Sequence, residues 1–129
     1  MARIYEYQGK EILRKERIPV PRGRCVTNAE EARRAAQEIG KPVAVKAQVW
    51  ATGRFKAGGI KFANAPKEAE KVTQELIGST IKGLPVPQVL VEEKLKIEGE
   101  VYIGVIVSNS SRVKGPVLIF STEDGVGVA

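Results

Sequence analysis

The chain has 129 residues, 43% of them hydrophobic and 28% charged, enough for one domain with a real core and too rich in periodic apolar residues for disorder. Its net charge of +6, from 21 Lys+Arg against 15 Asp+Glu, favours anionic partners without naming one. One cysteine and no histidine exclude an internal disulfide, a Cys/His zinc site, and any mechanism in which this chain supplies a histidine base or phosphohistidine.

Glu6 to Arg17 reads as a short helix stopped by Pro19 and Pro21, and Gly23 to Val26 as a short strand. Thr27 and Glu30 have the spacing of a capping box for a helix running to Ile39. That helix places Ala32, Ala35, Ala36 and Ile39 on one face and is closed by Gly40 and Pro42. Pro42 to Val49 is apolar enough on both faces for a strand inside a sheet. Ile60 to Ala63 begins another strand. Asn64 is the expected cap of a third helix, with Pro66 in its first turn and Ala69, Val72, Leu76 and Ile77 at helical spacing until Gly78. Lys82 to Pro87 reads as a turn-rich connector, and Gln88 to Glu92 as a strand. Glu100 to Ser108 and Pro116 to Ser121 read as a hairpin, followed by a tail to Ala129 without a terminating helix. The predicted architecture is α+β: one domain over 1–129, with helices on one side of a largely antiparallel or mixed sheet.

The lone thiol, Cys25, fits a reducing interior. Residues 1–20 carry charges throughout and lack the apolar centre of a signal peptide, so the predicted location is cytoplasmic. No apolar run approaches the ~20 residues of a membrane span.

Between Ile39 and Lys67 the chain has no Asp or Glu, yet it carries Lys41, Lys46, Arg54, Lys56, Lys61 and Lys67. Within this run an apolar strand ends near Lys46, and a loop follows with Gly53, Gly58 and Gly59. Cations without counter-ions repel one another, and glycines let a backbone turn its amides toward a ligand. The run is therefore expected to surround an anion, with a polyphosphate as the natural candidate.

The ordered set Tyr5-Glu6-Tyr7-Gln8-Gly9-Lys10, Ile18-Pro19-Val20-Pro21-Arg22-Gly23, Val45 to Val49, Gly53 to Gly59, Val89 to Glu92, Glu100 to Gly104 and Ser121-Thr122-Glu123 resembles the N-terminal part of the succinate–CoA ligase β subunit. Citryl-CoA synthetase and malate–CoA ligase large subunits are similar. The resemblance implies half of an ATP-grasp module that binds ATP or GTP. It also implies a reaction in which an acid, CoA and a nucleoside triphosphate give an acyl-CoA, a nucleoside diphosphate and phosphate. Lys46 corresponds to the lysine on the nucleotide phosphates, and Gly53, Arg54 and Phe55 to the loop covering them. Glu92 and Leu95 correspond to the adenine hinge, and Glu100 to a carboxylate on the ribose or nucleotide side. The family's Mg²⁺ ligands, its CoA-ligase domain and the phosphorylated histidine of its α subunit lie outside this chain. The expected partners are therefore that α subunit and the remainder of the β subunit, and no ligase activity is expected of the chain alone. Thr52 and Phe55 replace glycines of the family loop, Trp50 replaces a histidine, and Asp124 stands where a second glycine is common.

Two other readings compete. One is a basic nucleic-acid-binding module, which only seven aromatics and the lack of a groove-reading basic helix oppose. The other is an interaction piece that uses apolar faces without binding nucleotide.

Overall fold

The structure is a computed structural model and describes residues 3–122; the tail beyond Thr122, with Glu123 and Asp124, lies outside the described residues. Two compact units are present, residues 1–95 and 96–129. In the first, the order is α1 (Glu6–Lys15), β1 (Gly23–Val26), α2 (Ala29–Ile39), β2 (Val43–Ala47), β3 (Ile60–Ala63), α3 (Pro66–Leu76), β4 (Thr80–Ile81), β5 (Leu84–Pro85) and β6 (Val89–Glu93).

β1, β6, β2 and β3 form one sheet in that order, and every pairing in it is antiparallel. β1–α2–β2 and β3–α3–β6 are two similar halves, with β6 inserted between β1 and β2. Side-chain alternation then sorts the sheet into two faces. Val26, Val43, Val45, Ala47, Ala63, Val89 and Val91 point to one side and are buried with Ala32, Ala35 and Ala36 of α2 and Ala69 and Leu76 of α3. Small alanines on both helices let them approach each other and the sheet closely, so the core is thin and valine-rich.

The other face carries Lys46, Gln48 and Glu92, and α1 lies against it: Tyr7 N donates to Gln48 Oε1 at 3.1 Å and Lys10 reaches Glu92. The expectation of helices on one side therefore holds for α2 and α3 and is corrected for α1. α1 buries no residue fully, and Ile12 and Leu13 stay exposed. It ends at Lys15 rather than Arg17, with Arg17 in a left-handed conformation.

The caps shift by one residue. Asn28, not Thr27, is the N-cap of α2, accepting from Glu31 N at 2.9 Å, while Glu31 accepts from Thr27 N. Gly40 closes α2 in the left-handed conformation, as expected. Asn64 is not the cap of α3: Ala65 holds that position, and Glu68 accepts from Asn64 N at 2.7 Å. The connector after α3 contains a hairpin the sequence reading missed. β4 and β5 pair across Lys82 and Gly83, both at positive φ, the geometry of a tight two-residue hairpin turn.

The second unit is a ribbon of β7 (Tyr102–Asn109) and β8 (Lys114–Ser121), antiparallel with Tyr102 opposite Ser121. Ile103, Val105, Val107, Leu118 and Phe120 are exposed on it.

Candidate functional site

Alternation along β2 puts Lys46 and Gln48 on the face under α1, and the antiparallel register sets Ala44 opposite Glu92 of the neighbouring strand. The first turn of α1 lies over this spot. Five charged side chains meet there: Glu6, Lys10, Lys46, Arg54 and Glu92. Lys10 Nζ lies 2.7 and 2.6 Å from the two oxygens of Glu92 and 3.0 Å from Glu6. Lys46 Nζ lies 3.1 Å from Glu6 and also bonds Glu92. Arg54 grips the other oxygen of Glu6 and donates to Ala47 O at 2.8 Å. Gln48, only 1% exposed, supports the cluster by donating to Lys46 O. Three cations face two carboxylates, so one positive charge is in excess.

The acid-free stretch is therefore acid-free along the chain but not in space, and the expectation of cations without counter-ions is corrected for four of the six, Lys41, Lys46, Arg54 and Lys61. Glu6 and Glu92 neutralise Lys46 and Arg54, Glu93 meets Lys41 at 3.1 Å, and Glu75 meets Lys61 at 2.7 Å. The loop amides differ from expectation too. Residues 53–59 form one closed turn in which Ala57 N donates to Gly53 O, Gly58 N to Phe55 O and Gly59 N to Arg54 O. This is the closing pattern of a helix end, with Gly58 left-handed at φ 78°. The Gly58 and Gly59 amides are engaged within the loop rather than turned to a ligand. Phe55 is not at positive φ, so replacing the family's glycine there introduces no backbone strain; Gly53 is, at φ 65°.

The structure thus brings Lys46, Arg54 and Glu92 together, with Gly53 beginning the turn that carries Arg54. Phe55 is 63% exposed and approaches the Phe62 ring at 6.4 Å. Leu95 is exposed at the end of the first unit, and Glu100 is exposed in the second. Glu6, Lys10 and Gln48 were missed. The signals that could have found them are the four-residue spacing of Glu6 and Lys10 on one helix face and the two-residue spacing of Lys46 and Gln48 on one strand face. Trp50 stacks on Tyr5 at 5.0 Å and Tyr5 on Tyr7 at 6.1 Å, so the indole is a packing residue with 52% of its surface still exposed.

Electrostatics fix the protonation states. Burial alone would raise the Glu6 pKa, but the charges of Lys46, Arg54 and Lys10 overcome it and hold it near 2, below the ordinary 4.5. Burial would lower Lys46, but Glu6 and Glu92 raise it above its ordinary value and keep it cationic. Burial, then Glu11 and Glu31, push the Cys25 thiol up to about 11, so it stays protonated. Because Glu6 titrates lower when folded than when unfolded, its contribution is complete above pH 4.5 and is lost as pH falls toward 2. Acid titration by circular dichroism should show a loss of ~2–3 kcal/mol over that window. In Glu6→Gln that part of the acid limb should be flat; an unchanged acid limb would remove Glu6 as its source.

Beside the cluster, a cavity of about 360 Å³ opens between α1 and the β1–β6 edge, lined by Tyr7, Lys10, Arg14, Cys25, Leu90 and Glu92 among others. Among the described residues, no group of three or more His, Cys, Asp or Glu is placed to hold a metal, and no helix is long and apolar enough to cross a membrane.

The chain matches the ATP-grasp domain family over residues 3–129 and belongs to that family. It is 47% identical over 126 residues to the ADP-forming succinate–CoA ligase β subunit of Herpetosiphon aurantiacus, covering 98% of this chain and 33% of that one. It is 46% identical over 125 residues to the GDP-forming β subunit of Thermus thermophilus, covering 97% of this chain and 32% of that one. The chain thus spans about a third of the length of these relatives. Among solved structures, the dinucleotide forming acetyl-coenzyme A synthetase 1 of Ca. Korarchaeum cryptofilum, in complex with coenzyme A, Ca-AMPCP and HgCl+, superposes with a TM-score of 0.74. It is 24% identical over 92% of this chain and 52% of that one, a likeness of fold.

Proposed function

We propose that the chain is the nucleotide-binding segment of an acid–CoA ligase β subunit of the succinate–CoA ligase type. The observation that carries this reading is the convergence of two cations, Lys46 from a rigid strand and Arg54 from the turn after it, on a single carboxylate at the sheet surface. A position built to hold one anion between a lysine and an arginine suits a phosphate group, for which each charge-assisted hydrogen bond contributes ~1.5–3 kcal/mol.

In this reading Lys46 and Arg54 bind the phosphates of ATP or GTP, with Gly53 and Phe55 shaping the turn that presents Arg54. Leu95 and Glu100 are the residues this reading assigns to the nucleoside. Glu92, buried beneath Lys10 and Lys46 on the strand that leads into the adenine hinge, sets both ammonium groups in place. Mg²⁺, the acid site and the CoA-ligase chemistry come from the remainder of the β subunit and from an α subunit that carries the phosphorylated histidine, in the cytoplasm. The chain by itself forms no acyl-CoA.

Calorimetric titration with ADP tests the site. Lys46→Ala is expected to bind about tenfold or more weakly than the unaltered chain, the loss of one charge-assisted contact. Equal heats from both proteins would leave Lys46 a structural partner of Glu92 and nothing more.

A further inference from the structure

The carboxylate between Lys46 and Arg54 belongs to Glu6, the first residue of α1. α1 has no fully buried residue, and its apolar side chains Ile12 and Leu13 face solvent. Its ties to the sheet are polar: Glu6 to Lys46 and Arg54, Lys10 to Glu92, and Tyr7 N to Gln48. An element held by a few polar contacts over little apolar area opens at low cost. Lys10 keeps both oxygens of Glu92 if Glu6 leaves, so release of the first turn need not dismantle the rest. Tyr5, one residue before Glu6, lies against Trp50 with rings 14° from parallel, and Trp50 is the only tryptophan of the chain. A movement of Glu6 therefore carries the Tyr5 ring with it.

We propose that Glu6 is an internal occupant of the polyphosphate position, and that a phosphate chain binds by exchanging with its carboxylate and freeing Tyr5 from Trp50. The exchange rests on the phosphate-binding reading of Lys46 and Arg54. It makes no covalent bond. One carboxylate leaves two cations, a more highly charged phosphate takes its place, and the single excess positive charge of the cluster becomes available to it. The contact is autoinhibitory: it lowers affinity for every phosphate ligand by part of the strength of the Glu6 pairings, since Lys10, on the same helix, can still pair with the released carboxylate. It also keeps Lys46 and Arg54 correctly placed while no ligand is bound.

The test is titration of the full chain with sodium tripolyphosphate, and separately with ADP, at low salt, following both heat and Trp50 emission. In the unaltered chain, Trp50 emission is expected to change in step with the heat. Glu6→Gln, which keeps the shape but not the charge, is expected to bind tripolyphosphate about five- to tenfold more tightly, the scale of one part-buried ion pair. Equal or weaker binding by folded Glu6→Gln would overturn the exchange and leave the phosphate reading standing. So would heat from the unaltered chain with no change in Trp50 emission, an outcome that decides the matter even if Glu6→Gln fails to fold. No heat from either protein with either ligand would overturn both.

Discussion

Replacing Glu92 by alanine should destabilise the first unit by about 2–4 kcal/mol, among the largest effects of any single change at the site. The carboxylate is 2% exposed and accepts from both Lys10 and Lys46. Removing it leaves two ammonium groups side by side with only Glu6 to share. Partial exposure of the two lysines, each about a fifth, lets water soften the penalty and keeps the figure below that of a fully buried pair. Glu92→Gln should lose less, because the amide oxygen can still accept one bond. The measurement is the guanidinium unfolding midpoint of the three proteins. A Glu92→Ala midpoint within error of the unaltered chain would mean that the cluster is solvated in solution.

Gly23→Val should cost ~3 kcal/mol or more and break the pairing of β1 with β6, since forced overpacking against fixed backbone is not relieved by rotamer changes. A Cβ on Gly23 would lie 2.5 Å from Glu92 Cβ, 2.7 Å from Val91 O and 2.9 Å from Glu92 Cα. Optimal contact between carbon atoms is ~3.5–4.0 Å. The sheet ladder holds those atoms, because Gly23 is the Cα partner of Glu92. Gly99→Ala is the matched control, since nothing lies within 4 Å of its Cβ position. Thermal melts should separate the two, with Gly99→Ala unshifted; a Gly23→Val protein melting with its control would show that β1 is not seated on β6.

Much of the fold was legible because it is local. The alanine stripe of α2, Gly40 after it and Pro66 at the start of α3 are decided within a few residues, and each stands where the pattern put it. The caps moved by one because Thr27 and Asn28, or Asn64 and Ala65, offer the backbone adjacent starting points; the glutamate that reaches back differs by one position in the first case. The β4–β5 hairpin escaped because strands of two residues have no periodicity, and because Lys82 is an unusual residue for a positive-φ turn position. The site was half legible. Lys46 and Arg54 could be read from the charge pattern, but their counter-ions come from 40 and 48 residues away in α1, which no local window contains. A run that looked uncompensated on the line is compensated by topology.

The insertion of β6 also bears on how the first unit assembles. β1 and β2 run in the same direction with no bond between them, and the strand that joins them is the last of the unit to leave the ribosome. Until Val89 to Glu93 arrives, β2 and β3 can pair and α2 can pack on α3, but β1 has no partner strand and the gap beside β2 stays open. The closing event joins Gly23–Val26 to Val89–Glu92 across both helices, so its loop-entropy barrier comes late. Synthesis of this segment therefore ends in a single zippering step, and the lysine pair over Glu92 comes into being only when that step is complete.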